Sequence, residues 1–421
     1  MRSRIFHVLL LFTVMLFFHG ISTDAQEKLK LKPGARGKIC LECHVDFQDK
    51  MKSPSVHTPV KTGNCAGCHN PHTSWNGKLL YADASKICSR CHTVIPDKAL
   101  SVHQVVANGK CVLCHDTHAA QFKNNLNKNG NELCFSCHKA LGETIAKVKF
   151  KHTPVTKGCL TCHASHASAK AASLLRENVP ALCTGCHNST NPSFLKRHMN
   201  YPVGNARCTV CHNPHGSNTS GILYDTVHKP VANKMCSQCH LDPSSPKPFQ
   251  TKKEGYELCT ACHSTMMNET FGKKHLHWPV VSKQGCLSCH TPHAAPESSL
   301  LKGTKIKICG SCHADTVERS EQVKDKHAPV TEGKCNACHS PHSSNNSYLL
   351  KKPVVEQCGM CHDWVKHSSH PMGEKIRDYR NKNLSVQCLS CHSAHGTPYK
   401  KMLFFAEIQN TCVQCHEKFG R

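Results

Sequence analysis

Polar residues dominate the chain, and its one long apolar run covers residues 5 to 18. The segments between the recurring cysteines are rich in Gly, Pro, Ser, Asn and Lys. None of them shows the sustained apolar–polar alternation of a half-buried strand. Short helices are predicted at the cysteines, with a few longer ones such as residues 172–183, "ASLLRENVPALC". The pattern therefore predicts mainly short α-helices and coil, with little or no β-structure.

The apolar run at the N-terminus has the features of a secretion signal. Arg2 and Arg4 precede it, and residues 23–25 fit a cleavage site. The alternative, a retained membrane anchor, is disfavoured because the run is shorter than the roughly 20 residues that span a bilayer. No later segment is apolar enough to cross a membrane. We expect a signal peptide over residues 1–25 and an exported chain.

The composition offers little material for an ordinary core. Among 421 residues, 32 are cysteine and 35 are histidine, aromatic residues make up 6%, and the mean hydropathy is −0.44. A chain of this length normally buries a large apolar core. We expect a group other than the side chains to supply it.

The cysteines follow one spacing. In an exported chain an even cysteine count first suggests disulfides, but all 32 cysteines fall into sixteen Cys-x-x-Cys pairs, each followed by histidine. The pairs are Cys40 and Cys43, Cys65 and Cys68, Cys88 and Cys91, Cys111 and Cys114, Cys134 and Cys137, Cys159 and Cys162, Cys183 and Cys186, Cys208 and Cys211, Cys236 and Cys239, Cys259 and Cys262, Cys286 and Cys289, Cys309 and Cys312, Cys335 and Cys338, Cys358 and Cys361, Cys388 and Cys391, and Cys412 and Cys415. The adjoining histidines, here called proximal, are His44, His69, His92, His115, His138, His163, His187, His212, His240, His263, His290, His313, His339, His362, His392 and His416.

Cys-x-x-Cys-His is the attachment motif of c-type haem. On a helical turn its two thiols and its imidazole share one face. The thiols can then bond one porphyrin while the histidine reaches the iron. Zinc binding would explain the cysteine pairs but not sixteen adjoining histidines. A thioredoxin-like redox pair needs one or two motifs. The sequence predicts sixteen covalent haems and a haem core in place of an apolar one.

The formal charge of +25 would otherwise indicate a nucleic-acid partner. Sixteen haems, however, bring two propionates each, or about 32 negative charges, and the iron is also charged when ferric. The lysine excess is thus explained as compensation for propionates. We expect no nucleic-acid partner.

The motifs recur in two kinds within a repeating unit. A leading motif has a further histidine three residues after its proximal one and another histidine upstream, and a trailing motif follows 23 to 28 residues later. Leading motifs are assigned at Cys65, Cys111, Cys159, Cys208, Cys286, Cys335 and Cys388, which makes Cys236 the trailing partner of Cys208. The motifs at Cys40 and Cys259 then stand alone. Such a period predicts an extended tandem array.

The histidine after a leading motif cannot serve its own haem. In "CAGCHNPH", His69 and His72 lie about one helical turn apart on one segment, whereas the two axial ligands of an iron lie on opposite faces. If His72 binds iron, it binds the iron of another haem. The candidate distal ligands are His57, His72, His103, His118, His152, His166, His198, His215, His228, His275, His277, His293, His327, His342, His367, His370 and His395. No methionine recurs at a fixed offset from the motifs.

The unit "HTPV…CAGCHNPHTS…LL…CSRCH", residues 57–92, resembles the multihaem cytochromes c built from the doubled CXXCH motif, and the resemblance covers roughly residues 38 to 418. It implies bis-histidine haems and electron transport. It also implies a periplasmic, outer-membrane-associated or extracellular location, in anaerobic respiration. The implied partners are quinol-oxidising or periplasmic donors, outer-membrane or extracellular acceptors, and a porin or further copies of the chain.

The leading interpretation is an electron carrier rather than an enzyme, because an iron with two histidines has no vacant site for substrate. A multihaem reductase with an open haem at Cys40 or Cys259 is the alternative, followed by an electron-storage or structural filament protein. The expected organisation is residues 1–25 as signal peptide, 26–240 with haems 1–9, and 241–421 with haems 10–16.

Overall fold

The computed structural model describes residues 37–363, 370, 372–373 and 375–417. The signal peptide predicted over residues 1–25 lies outside them, as does His367. The described residues form two compact units. The first comprises residues 37–146 and 153–178, and the second comprises 147–152 and the described residues from 179 onward. The predicted division after residue 240 stays a prediction.

The α-helices of the described residues are short, with the exception of one of 17 residues, Gly255–Phe271. They are α1 Lys38–Cys43, α2 Asp46–Lys50, α3 Thr58–Lys61, α4 Ala84–Ser89, α5 Gln104–Ala107, α6 Gly130–Phe135, α7 Lys139–Lys147, α8 Thr153–Lys157, α9 Val179–Thr184, α10 Pro192–Arg197, α11 Lys229–Ala232, α12 Gly255–Phe271, α13 Trp278–Val281, α14 Lys305–Gly310, α15 Ala314–Gln322, α16 Ala328–Thr331, α17 Val354–Gly359 and α18 Ile408–Cys412. In "HTPV" and its variants the histidine has extended backbone angles and proline occupies the first turn, as in α3 and α11. Proline suits that turn because its missing N–H has no partner there anyway.

The strands pair in twos. They are β1 Ser55–Val56, β2 Ser101–Val102, β3 Ala119–Ala120, β4 Phe150–Lys151, β5 Ala167–Ser168, β6 Gly216–Ser217, β7 Thr226–Val227, β8 His275–Leu276, β9 Ala294–Ala295, β10 Ser343–Ser344, β11 Arg377–Asp378 and β12 Asn381–Ser385. The antiparallel pairs are β1–β3, β2–β5, β4–β6, β7–β9, β8–β10 and β11–β12. Except for β11–β12, each pair joins the strand before an upstream histidine to the strand after a later leading motif. The sequence repeats are therefore interleaved, because a strand of one repeat pairs with a strand of a later repeat.

Few apolar side chains are buried in the part of the chain that the structure describes. They are Ala119, Val148, Tyr201, Met267, Ala294, Ala295, Leu350 and Val354. Among the described residues, no helix is long and apolar enough to cross a membrane.

The expected fold class of short helices and coil with little β-structure is confirmed. One detail of the expectation was wrong. The helix predicted over residues 172–183 forms only from Val179, because Ser173 and Leu174 take left-handed backbone angles (φ 57° each). The short helices expected at the leading motifs are single 3₁₀ turns such as Cys65–Gly67.

Candidate metal centres

The leading motifs share one local geometry. The first cysteine lies at or next to the start of a 3₁₀ turn, and the proximal histidine then pairs through its backbone with a residue about eleven positions later, as His69 does with Leu80. Its ring Nδ1 donates a hydrogen bond to a backbone carbonyl. These bonds run from His69 to Lys78 (2.8 Å), His115 to Asn124 (2.9 Å), His163 to Ser173 (2.9 Å), His212 to Gly221 (2.8 Å), His240 to Phe249 (2.9 Å), His290 to Ser299 (2.8 Å), His339 to Tyr348 (2.8 Å) and His392 to Lys401 (2.8 Å). Each bond occupies Nδ1, so that Nε2 is the ring nitrogen suited to bind a metal.

Most of the carbonyls that accept these Nδ1 hydrogen bonds belong to residues with left-handed backbone angles, usually two such residues in succession. Tyr348 and Leu349 have φ values of 57° and 56°, and the Tyr348 carbonyl accepts from His339. The same conformation recurs at Lys78, Asn124, Ser173, Gly221, Ser299 and Lys401. Non-glycine residues rarely adopt it. Sequence reasoning missed these residues as part of the site, although the "LL" of the repeated signature marked their place.

The trailing motifs begin in α-helices instead. Cys88 is in α4, and the His92 N–H donates to the Cys88 carbonyl at 3.0 Å. The first cysteines of the other trailing motifs, Cys40, Cys134, Cys183, Cys259, Cys309, Cys358 and Cys412, lie in α1, α6, α9, α12, α14, α17 and α18. Both settings bring the two cysteines and the proximal histidine within about one turn of each other.

Upstream histidines face the proximal histidines of trailing motifs. Their ring centroids are 5.9 to 6.4 Å apart in the pairs His57–His92, His103–His138, His152–His187, His228–His263, His277–His313, His327–His362 and His370–His416. The planes lie within 32° of parallel except in His370–His416, where they are 87° apart. The sequence assigned no partner to any of these histidines.

The histidine that ends a leading motif faces the proximal histidine of an earlier leading motif. The pairs are His69–His118, His115–His166, His240–His293, His290–His342 and His339–His395, with centroids 5.9 to 6.1 Å apart and planes 15° to 44° apart. None of these histidines faces the proximal histidine of its own motif. The arrangement agrees with the inference that such a histidine belongs to another motif's centre.

Backbone bonds hold the two kinds of distal histidine together. The His57 N–H donates to the His118 carbonyl at 2.8 Å, and the His57 Nδ1 donates to the Thr117 carbonyl at 3.0 Å. The same two bonds join His228 to His293 and Pro292, and His277 to His342 and Pro341. One short strand pair thus positions ligands for two centres.

The donor set fits haem. Two metal–imidazole bonds of about 2 Å, each extended by about 1.1 Å to the ring centroid, separate two opposed imidazoles by about 6.2 Å. The observed separations are 5.9 to 6.4 Å. Two nitrogens leave four equatorial positions for a tetradentate macrocycle, and two cysteines beside each proximal histidine suit its thioether attachment.

Burial lowers the pKa of the enclosed imidazoles, including those of His118, His166, His293, His342 and His395. The physical cause is the loss of water around the charged form. The neutral imidazole is the form that binds a metal. These rings therefore favour their ligand state.

Cysteines of successive motifs lie near one another. The first cysteine of a trailing motif and the first cysteine of the next leading motif are close enough for one thiol to shift the pKa of the other. The pairs are Cys40–Cys65, Cys88–Cys111, Cys134–Cys159, Cys259–Cys286, Cys309–Cys335 and Cys358–Cys388. Burial, followed by the neighbouring thiol, raises the pKa of Cys88 and Cys309 to about 11. Groups attached at these cysteines would be neighbours.

The structure corrects the assignment of Cys236 and Cys259. The Cys236 motif forms a 3₁₀ turn with the His240–Phe249 bond, which are the features of a leading motif. Cys259 lies in α12, and His263 faces the upstream His228. Cys259 is therefore the trailing partner of Cys236 and does not stand alone. The leading motif without a trailing partner is Cys208.

The remaining candidates are placed as follows. His72 is exposed, and neither His72 nor His44 makes a ring pair within the described residues. His275 lies in β8, is exposed, and pairs through its backbone with Ser344. The backbone N–H of His215 donates to the Asn213 side chain at 3.2 Å.

His198, unlike the other upstream histidines, faces the proximal histidine of a leading motif, His212.

A family model described as the doubled CXXCH motif matches most of the chain. The matched segments are residues 57–95, 103–143, 152–192, 200–227, 228–268, 277–318, 327–367 and 382–421. The chain belongs to this family and is a multihaem c-type cytochrome, a covalent haem protein of electron transfer. The separate matches to 200–227 and 228–268 agree with the pairing of Cys236 and Cys259. No curated protein matches this sequence.

Proposed function

We propose that the chain carries sixteen haems, one at each Cys-x-x-Cys-His motif, and conducts electrons along them. The observation that carries this proposal is the series of opposed imidazole pairs at about 6 Å. When bound, haem iron supplies one-electron redox chemistry between such imidazoles. Two imidazoles per centre leave no position for a substrate, which favours a carrier over an enzyme.

The contacts between motifs support conduction. Neighbouring cysteines of consecutive motifs occur at Cys40 and Cys65, Cys88 and Cys111, and Cys134 and Cys159 in the first unit. In the second unit they occur at Cys259 and Cys286, Cys309 and Cys335, and Cys358 and Cys388. Only short segments of chain separate successive motifs, so little protein would lie between neighbouring haems to hinder electron transfer. Opposed imidazoles also favour a lower potential than a methionine ligand would.

The ring pairs support an assignment of the axial ligands. Each of the sixteen proximal histidines binds the haem of its own motif. An upstream histidine such as His57 or His228 completes the trailing centre that it faces. A histidine such as His118 or His293 completes the leading centre that it faces.

Export and partners belong to the same proposal. The N-terminal sequence supports secretion, and haem attachment of this kind accompanies export. We place the protein in the periplasm, at the outer membrane or outside the cell. There it would take electrons from a quinol-oxidising or periplasmic donor and pass them to an outer-membrane or extracellular acceptor in anaerobic respiration.

The test is the mass and spin state of the purified exported protein. We expect a mass increase of sixteen haems, peptides modified at every cysteine pair, and a ferric EPR spectrum dominated by low-spin iron. Fewer haems, or motifs that carry none, would contradict the count. Several high-spin irons would contradict conduction through closed centres.

One observation favours a second candidate function at a single centre. His44 is exposed and faces no second imidazole among the described residues. An open haem at Cys40 would suit a multihaem reductase, whereas at the other candidate, Cys259, the ring of His228 faces the proximal histidine His263 and disfavours an open site. Carbon monoxide binding to one ferrous haem, lost on removal of the Cys40 motif, would support the reductase. No binding would exclude it.

A further inference from the structure

The repeating arrangement fails at one place along the chain. A leading proximal histidine is normally faced by the histidine that ends the next leading motif, as His240 is by His293. The leading motif after Cys208 is that of Cys236, "CSQCHLDP", in which Pro243 occupies the position of the expected histidine. The arrangement therefore provides no second imidazole for His212.

A second irregularity lies beside the first. Because Cys208 has no trailing motif, its upstream histidine, His198, has no trailing centre to serve. The local sequence also departs from the other units, since "HMNYPV" replaces "HTPV" and moves the proline two residues further on. His198 ends α10 with backbone angles of −102° and 21°, whereas His57 has the extended angles of −60° and 132°.

These changes turn His198 towards His212. The Asn191 side chain caps α10 by accepting the Ser193 N–H at 2.9 Å. At the other end of the helix, the His198 Nδ1 donates to the Phe194 carbonyl at 2.9 Å, and the two rings pack with centroids 4.4 Å apart. The His198 ring centroid then lies 6.3 Å from that of His212, with the planes 60° apart. The bonded Nδ1 leaves Nε2 as the metal-binding nitrogen.

We propose that His198 is the second axial ligand of the haem attached at Cys208 and Cys211. This proposal rests on the proposed function, because it assumes a haem at that motif. The centre is then closed by one local segment, residues 191–212, without a histidine from a later unit. It is a self-contained haem site that replaces the cross-unit ligation used elsewhere.

A tyrosine joins the chain across this break. Tyr201 is 3% exposed, and its hydroxyl donates to the Leu241 carbonyl at 2.7 Å. Its ring packs 6.0 Å from Phe249 and 6.4 Å from His240. Packing and one hydrogen bond thus connect the Cys208 and Cys236 motifs where an iron–histidine bond connects other units.

The angle between the rings gives this centre its own signature. Each imidazole donates π density into one of two iron d orbitals, so parallel rings split the two orbitals while crossed rings make them nearly equal in energy. Ferric centres with crossed rings therefore give a strongly anisotropic low-spin EPR signal, and near-parallel pairs give a rhombic one. At 60°, the His198–His212 centre belongs with His370–His416 (87°) and not with His228–His263 (18°).

The experiment compares three holoprotein variants. His198→Ala should convert one of sixteen ferric irons to high spin and reduce the strongly anisotropic signal. His228→Ala should also produce one high-spin iron but reduce the rhombic signal. The exposed His275→Ala should change neither signal. Mass spectrometry of the Cys208–Cys211 peptide reports haem attachment independently of ligation.

The outcomes separate the two proposals. A Cys208–Cys211 peptide without haem in the wild-type protein would defeat the proposed function at this motif. If the Cys208–Cys211 peptide carries haem but His198→Ala leaves the EPR spectrum of the protein unchanged, only the ligand assignment is defeated. Loss of the rhombic signal in place of the strongly anisotropic one would also defeat it.

If His198→Ala does not mature, His198→Met keeps a ligand and should raise one haem potential and introduce a thioether–iron absorption band. An unchanged spectrum in that variant would overturn the assignment.

Discussion

At the scale of single residues, each leading centre depends on a carbonyl as well as on a histidine. A hydrogen bond from Nδ1 to that carbonyl fixes the orientation and tautomer of the imidazole and makes it a better electron donor. The turn that supplies the carbonyl has left-handed angles at residues such as Lys78 and Tyr348, where most side chains are disfavoured. The fold retains this backbone strain at the positions where it orients a histidine ligand.

Tyr348 allows a direct test of this backbone requirement. Its side chain is 69% exposed and its φ is 57°, so the tyrosine ring contributes little while the backbone is constrained. Tyr348→Val should lower the free energy of unfolding by about 1–2 kcal/mol, because a branched Cβ is disfavoured at positive φ. Tyr348→Asn should leave stability within about 0.5 kcal/mol, because asparagine tolerates this region. Denaturant unfolding of the two holoproteins measures the difference, and equal losses would argue against a backbone cause.

His118 tests the exchange of ligands between units. Its ring faces His69 with planes 15° apart, so His118→Ala should open the centre at Cys65 and Cys68. The haem at its own cysteines, Cys111 and Cys114, should keep both ligands, because His115 faces His166. EPR should show one high-spin iron, and peptide mass spectrometry should show both attachments intact, with His275→Ala as the unchanged control. Sixteen low-spin irons in His118→Ala would contradict the assignment. The equivalent role for His72 stays a prediction.

At the scale of elements, the sequence could predict the motifs but not every pairing between them. Covalent attachment demands fixed spacing, so the cysteines and proximal histidines could be read directly. The leading motifs were recognised by the histidine that ends them, and Pro243 removed that marker from the Cys236 motif. The better signals were "HKPV" at His228 and the 23-residue step from Cys236 to Cys259, which every other regular unit shares within one residue.

The short strands were invisible in the sequence for a different reason. A strand of two residues, such as Ser55–Val56, has no room for alternation of apolar and polar side chains. Its partner, Ala119–Ala120, lies in another unit of the array, and the pairing is made by backbone groups alone. The pairing of the two strands holds an upstream histidine beside the histidine that ends a later leading motif, and this is visible only in the folded structure.

The β11–β12 hairpin carries an ion pair between a buried carboxylate and an exposed arginine, and this pair has a defined pH dependence. Asp378 is 3% exposed and accepts from Arg380 Nε at 3.0 Å and Nη2 at 2.7 Å, while Nη2 also donates to the Ser390 carbonyl in the Cys388 motif. The Arg380 hydrogen bonds lower the pKa of Asp378 to about 2. Since the unfolded value is about 3.9, the pair stabilises the fold above about pH 4, and this contribution is lost as the pH falls towards 2.

Asp378→Asn should therefore cost roughly 2 kcal/mol near pH 6, and the difference from wild type should shrink as the pH falls from about 4 to about 2. Haem propionates titrate equally in both proteins, so the difference isolates Asp378. Denaturant unfolding of both holoproteins at several pH values measures it. A difference that stays constant across this range would show that the carboxylate charge is not the cause.

At the scale of the whole molecule, the side chains alone provide little cohesion. The buried apolar residues of the described chain include alanines at 119, 294 and 295, and the larger ones, such as Tyr201, Met267 and Leu350, are few. Many of the contacts between motifs are instead between histidines or cysteines that face one another. The same residues that would bind haem are thus the residues that hold successive motifs together.

The chain without haem should consequently not keep this fold. Helices of four to six residues such as α3 and α4 are too short to be stable alone. Facing imidazoles with no metal between them contribute little attraction, and neighbouring thiols contribute weak hydrogen bonds. Export in cells that lack cytochrome c maturation should give a chain degraded by low protease concentrations, whereas the holoprotein from matured cells should resist the same treatment. Calorimetry of the two forms gives the second measurement, because a cooperative transition is expected only with haem attached. A haem-free chain that melts cooperatively and resists protease would show that its side chains suffice, and the haem core inferred here would then be wrong.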